Sequence, residues 1–76
     1  MEINEFIKNF AAEFDFTDAS EIKPETHFQE MDEWDSLMIV MTMAMSEEQY
    51  DVSITDEEIK KQVTVEDLFN LVKSKK

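Results

Sequence analysis

No glycine occurs in this chain of 76 residues, and Pro24 is its one proline. Two-residue β-hairpins need positive φ angles that glycine supplies most readily, so a glycine-free chain is turned away from hairpin-built sheets. Apolar spacing indicates what it builds instead. Ile3, Phe6, Ile7, Phe10, Ala11 and Phe14 recur every three or four residues, which predicts an amphipathic helix over residues 1–14. Residues 15–35 lack a sustained period and read as a long connection. Phe16, Ile22, Phe28, Met31 and Trp34 within it are too many apolar residues for a solvated linker, so several should pin it to the helices. Pro24 disfavours helix at Lys23 and implies an extended passage there.

Ser36 stands immediately before a run, residues 37–45, that is apolar at every position except Thr42. The run predicts a helix reaching about Tyr50. Beyond it, Thr55 with Glu58 and Thr64 with Asp67 have the spacing of capping boxes. They predict a short helix from Asp56 to about Lys61 and a final one from Val65 to about Lys73. Val65, Leu68, Phe69 and Val72 give the last helix its inward stripe, and the lysines at its end suit the helix dipole. The expected fold is all-α: a small four-helix bundle, three longer helices and one short, occupying residues 1–76 as a single domain.

The formal net charge is -12. All seven positive residues are lysines, and residues 24–59 contain none while holding eleven acids. Such a one-signed field repels nucleic acid and anionic membranes and attracts partners with basic patches. Without cysteine there is no disulfide framework and no thiolate metal site. The opening MEINEF lacks the features of a signal peptide, and no apolar run approaches the roughly 20 residues that span a bilayer. The expectation is a cytoplasmic chain without membrane insertion, monomeric, too small to enclose a deep catalytic cavity and better suited to presenting a surface.

Three kinds of chemistry can be weighed on particular residues. A serine hydrolase would need small residues around its nucleophile, and EWDSLM offers none; the lone His27 sits in a loop. Asp51, Ser53 and Thr55 are spaced like the first ligands of a calcium-binding loop, yet the sharp-turn position is Asp56 and the final ligand position is Gln62. No catalytic residue and no metal site are expected. Ser36 remains: its hydroxyl either caps the helix or bears a phosphoester, since free N–H groups and the helix dipole favour an anion there. Both readings stay open on the residues alone.

EWDSL entering a helix, then EEQYDVSITDEEI and TVEDLFNLV, resembles the acyl carrier protein family over nearly the whole chain. Phe28, eight residues before the serine, also matches. The resemblance implies that Ser36 carries a 4′-phosphopantetheine arm taken from coenzyme A by a phosphopantetheinyl transferase, and that Asp35 assists the transfer by helping to place the transferase's magnesium ion. It implies a carrier, not an enzyme, serving acyl-loading, synthase and acyltransferase enzymes with basic or apolar docking patches in fatty acid or polyketide biosynthesis. An aminoacyl or peptidyl carrier, or an unmodified acidic adaptor of the same fold, are the alternatives.

The chain departs from the family where partners dock. Glu33 replaces a common glycine, and Met38 and Met41 replace residues that are usually acidic. At about 100° per residue, Leu37, Val40, Met41, Ala44 and Met45 share one side of the helix, and Ile39, Thr42, Met43, Ser46 and Tyr50 the other. The family's orientation buries the second set and leaves Leu37, Met38, Val40, Met41 and Met45 as an exposed apolar docking face, rimmed by Glu33, Glu47 and Glu48. Methionine's flexible, polarisable chain suits such a surface.

Overall fold

A computed structural model describes all 76 residues. Four α-helices are present: α1 (Ile3–Ala11), α2 (Ser36–Tyr50), α3 (Asp56–Lys60) and α4 (Val65–Ser74). Single 3-10 turns at Ala19–Glu21 and Phe28–Glu30 interrupt the long connection between α1 and α2. The architecture is an all-helical bundle with no strand; an isolated backbone bridge joins His27 and Thr64.

α1 is shorter at both ends than the predicted range of residues 1–14. After Ala11 the bonds tighten to i→i−3, with the Glu13 amide donating to Phe10 and the Phe14 amide to Ala11. This is a common way for a helix to satisfy its last carbonyls. The stripe continues through the tightened turn, so Phe14 is still buried. Both capping boxes form: Thr55 accepts from the Glu58 amide and Thr64 from the Asp67 amide, with each acid reaching back to the cap residue's own N–H.

The centre of the core is aromatic. Phe6 and Phe10 project from α1; Phe69 from α4 packs edge-on against Phe6 at 5.5 Å between ring centroids, and Tyr50 from α2 lies 5.8 Å away. Phe28 and Trp34, both from the connection, sit 4.9 Å apart in an edge arrangement and each meets Phe10. Such pairs add to the burial of 150–250 Å² typical of each ring. Ile22 is buried and Met31 half-buried against the same core. Phe16 does not join them: it is 88% exposed. Its place is set by Glu33, whose carboxylate accepts hydrogen bonds from the Asp15 and Phe16 amides and from the Thr17 hydroxyl at 2.6 to 3.1 Å. The connection also serves α4, because the carbonyls of Pro24 and Thr26 accept the Glu66 and Val65 amides, two groups that have no partner inside the helix.

α2 buries Met38, Thr42, Met45, Ser46 and Tyr50, an arc of about 140° at 100° per residue. Ile39 and Met43 are half-buried at its flank. Thr42 bonds back one turn, donating to the Met38 carbonyl at 2.7 Å, whereas Ser46 reaches forward to the Val52 carbonyl at 2.8 Å. The Tyr50 hydroxyl accepts from the Asn9 amide of α1 at 2.9 Å. Without glycine to end the helix, Asp51 takes the left-handed conformation at φ 57°, which short polar side chains tolerate better than most.

Five carboxylates are shifted by their surroundings, in two directions. The Thr17 hydroxyl holds Glu33 below its ordinary value of 4.5, Lys75 does so for Glu58, the Thr64 amide lowers Asp67 below 3.8, and Ser20 lowers Asp18. A carboxylate with a depressed folded value stabilises above its unfolded value and loses that contribution as pH falls through the folded one. Glu13 is opposite in sign: burial first, then Glu48, raises it, so its ionised form opposes folding near neutrality. The urea midpoint should therefore rise as pH is lowered from 7 to about 5, where self-repulsion also declines, and fall below about pH 4. A midpoint that decreases steadily from pH 7 downward contradicts this assignment.

Candidate functional site

The head of α2 is built by the three residues before it. Trp34 anchors the incoming chain among Phe10, Phe14 and Phe28. Glu33 fastens the neighbouring loop at Asp15 to Thr17. Asp35, extended at φ −154°, is the N-cap, and its Oδ1 accepts the Met38 amide at 3.1 Å. Ser36 is therefore not the cap. It is the first residue of the helix, exposed, and its hydroxyl is left outside the capping bond. Capping at this helix head belongs to Asp35 and not to Ser36.

A phosphoester on Ser36 fits this position. The Ser36 and Leu37 amides of the first turn have no intrahelical partner, the helix dipole favours negative charge, and the first turn holds no acidic residue after the cap. Asp35 uses one carboxylate oxygen in its cap and is itself exposed, leaving the second oxygen free.

Around Ser36 the surface differs from the one read off the sequence. Leu37 is 63% exposed and Val40 57%, with Met41 and Ala44 half-buried beside them and Glu47 and Glu48 exposed further along. Met38 and Met45 are not part of this face. They are 7% and 2% exposed and belong to the core. The reason is rotational: the buried arc is centred near Thr42, so residues four before and three after it turn inward as well. Glu33 does not rim the patch either, because its carboxylate is committed to the 15–17 loop. The exposed apolar strip that remains is narrower, Leu37, Val40 and part of Met41, and the exposed acids Glu47 and Glu48 lie toward the C-terminal end of α2.

The other candidate chemistries find no support in the geometry. His27 pairs with Glu30 at 3.0 Å. Ser53 donates to Glu47 and Thr55 caps α3, so the calcium-like spacing is spent on local bonds, and no group of three or more His, Cys, Asp or Glu side chains gathers as a metal cage. No helix is long and apolar enough to cross a membrane. Sequence reading passed over Glu33 as a clamp, Gln29 and Lys75; none belongs to a short motif, and each acts on residues at least 16 positions away.

A small helical bundle that holds an exposed serine at a helix head, beside an apolar strip and an acidic end, has the features of a carrier that is modified and then recognised. The family model described as "Phosphopantetheine attachment site" matches residues 5–72. An acyl carrier protein from Helicobacter hepaticus is 36% identical over 76 residues, covering all of both chains. No solved structure matches the chain significantly. This chain belongs to the acyl carrier protein family: it is a carrier and not a catalyst, and its cofactor is 4′-phosphopantetheine.

The rotational setting of α2 can be checked directly. Met38→Glu places a charge in the core and should cost about 3 kcal/mol or more, whereas Leu37→Glu should shift stability by about 0.5 kcal/mol or less. Urea unfolding followed by circular dichroism distinguishes them. Equal effects would mean that Met38 faces solvent.

Proposed function

We propose that Ser36 carries the phosphopantetheine arm and that the chain transports acyl intermediates of fatty acid or polyketide assembly as thioesters. The observation that supports this reading is the exposed Ser36 hydroxyl at the first position of α2, freed from capping by Asp35. The arm, once attached, supplies a thiol that holds the acyl group. The chain's own residues do the rest. Asp35 fixes the helix head and offers its free oxygen to the transferase's metal during attachment. Leu37, Val40 and the exposed part of Met41 form the apolar contact for partner enzymes, and Glu47 and Glu48 offer charge to basic residues flanking that contact.

On this reading the partners are a phosphopantetheinyl transferase and cytoplasmic acyl-loading, synthase and acyltransferase enzymes, met one at a time by a monomer. Docking next to Ser36 is more apolar than in relatives with an acid at the position of Met41. An apolar strip contributes affinity through desolvation and an acidic rim through encounter rate. The two functions are therefore separated along α2, with affinity near the arm and steering at the far end.

Intact mass after incubation with a promiscuous transferase and coenzyme A tests the attachment. One phosphopantetheine should be added to the native chain and none to Ser36→Ala. Failure of the native chain to be modified, under conditions that modify a control carrier, would favour an unmodified adaptor. For the docking face, Met41→Glu or Val40→Glu should lower partner turnover by roughly ten-fold while the fold is retained. Glu47→Gln with Glu48→Gln should mainly reduce the association rate and its salt dependence.

A further inference from the structure

Phe16 is the most exposed large apolar side chain of the protein, yet the loop that carries it is tied down at three points. Before it, Phe14 is buried, edge-on to Phe10 at 5.1 Å between ring centroids and 6.5 Å from Trp34. After it, Asp18 caps the first 3-10 turn, accepting the Ser20 amide while its own N–H donates to Glu21. Between these anchors, Glu33 holds the Asp15 and Phe16 amides and the Thr17 hydroxyl. The Thr17 hydroxyl also keeps that carboxylate below its ordinary value, so the clamp is ionised at neutral pH. The ring is therefore fixed outward. An aromatic side chain on an ordered backbone loses little freedom when a partner buries it, and aromatic anchors are prominent among the residues that dominate binding.

Its place brings it close to the attachment serine. Glu33 precedes Ser36 by three residues, a stretch that spans at most about 11 Å. A standard interface covers about 800 Å² on each partner, about 30 Å across, which is wide enough to take in both. The local charge selects the occupant. Asp15 and Asp18 are exposed beside the ring, Glu33 is ionised beneath it, and no lysine occurs between Lys8 and Lys23. A second copy of this chain, with the same acids and a net charge of -12, is repelled, and so is an anionic membrane. A basic protein surface containing an apolar pocket is the complementary partner.

We propose that Phe16, held out by Glu33, anchors the phosphopantetheinyl transferase at Ser36 by entering an apolar pocket rimmed with lysine or arginine on that enzyme. The transferase must bring its reacting groups to the Ser36 oxygen itself, so its footprint has to cover the helix head. Later partners are met through the arm. Phe16 makes the contact, and Glu33 is a positioning residue that acts through it. The inference rests on attachment at Ser36.

Steady-state kinetics with the transferase that modifies the native chain, at saturating coenzyme A, test it. Phe16→Ser should raise the KM for the carrier roughly five- to thirty-fold and leave kcat within about two-fold, the pattern of lost binding and not of lost chemistry. Phe16→Leu, still apolar, should recover most of the loss. The urea midpoint of Phe16→Ser should match the native chain, because an exposed side chain contributes little to stability. Glu33→Ala should raise KM as well, and combining it with Phe16→Ser should be no worse than Phe16→Ser alone. The proposal is overturned if Phe16→Ser is modified with the native KM, or if the effects of Glu33→Ala and Phe16→Ser multiply. It is also overturned if Phe16→Ser keeps the native KM and abolishes a dimer seen by sedimentation equilibrium, since the occupant is then a second copy. A native chain that is not modified at all refutes attachment itself, a failure distinct from a modified chain indifferent to Phe16.

Discussion

The packing of Phe28 and Trp34 on Phe10 is the contact on which the rest of this small structure depends. It turns a connection with no regular period into part of the core. The entropic cost of closing a loop grows only slowly with its length, and one buried and one half-buried aromatic ring offset a substantial part of it. Once Phe28 is seated, the carbonyls of Pro24 and Thr26 lie where the first amides of α4 need acceptors. Once Trp34 is seated, the next two residues can do nothing but cap and begin α2. The position of Ser36 is thus an outcome of hydrophobic burial two residues upstream.

Much of this was legible from the residues. The capping boxes at Thr55 and Thr64 located α3 and α4 closely, because the signal is local: one hydroxyl and one acid three residues apart are sufficient to satisfy both orphan donors. The stripe of α1 identified its buried face but not its end, since Phe14 is buried whether the last turn is α-helical or tightened to i→i−3. Phe16 was unreadable for another reason. Its exposure follows from Glu33 gripping the backbone on either side of it, a contact 17 residues away in sequence that carries no periodic mark.

The candidate site divides in the same way. Ser36 and Asp35 announced themselves through local pattern, although their capping roles were readable only from backbone geometry. The extent of the exposed apolar strip was not legible, because a helix apolar all round has no preferred side on hydrophobicity alone. Assigning Met38 and Met45 outward was reasonable from resemblance and mistaken in three dimensions; the arc centred on Thr42 takes in both.

That lack of preference has a consequence for how α2 is held. If apolar surface cannot choose among rotations of this helix, hydrogen bonds must, and two of those that leave α2 start from side chains on its inward face. Ser46 grips the Val52 carbonyl and Tyr50 meets Asn9; turning the helix by one residue would strand the fully buried Ser46 hydroxyl and break the partly buried Tyr50 bond. Two polar contacts thus act as indexing pins, breaking a degeneracy that the methionines leave open. The greasy residues are then free to vary among themselves, and the one azimuth that keeps Ser36 facing outward is preserved by an oxygen on a serine and another on a tyrosine.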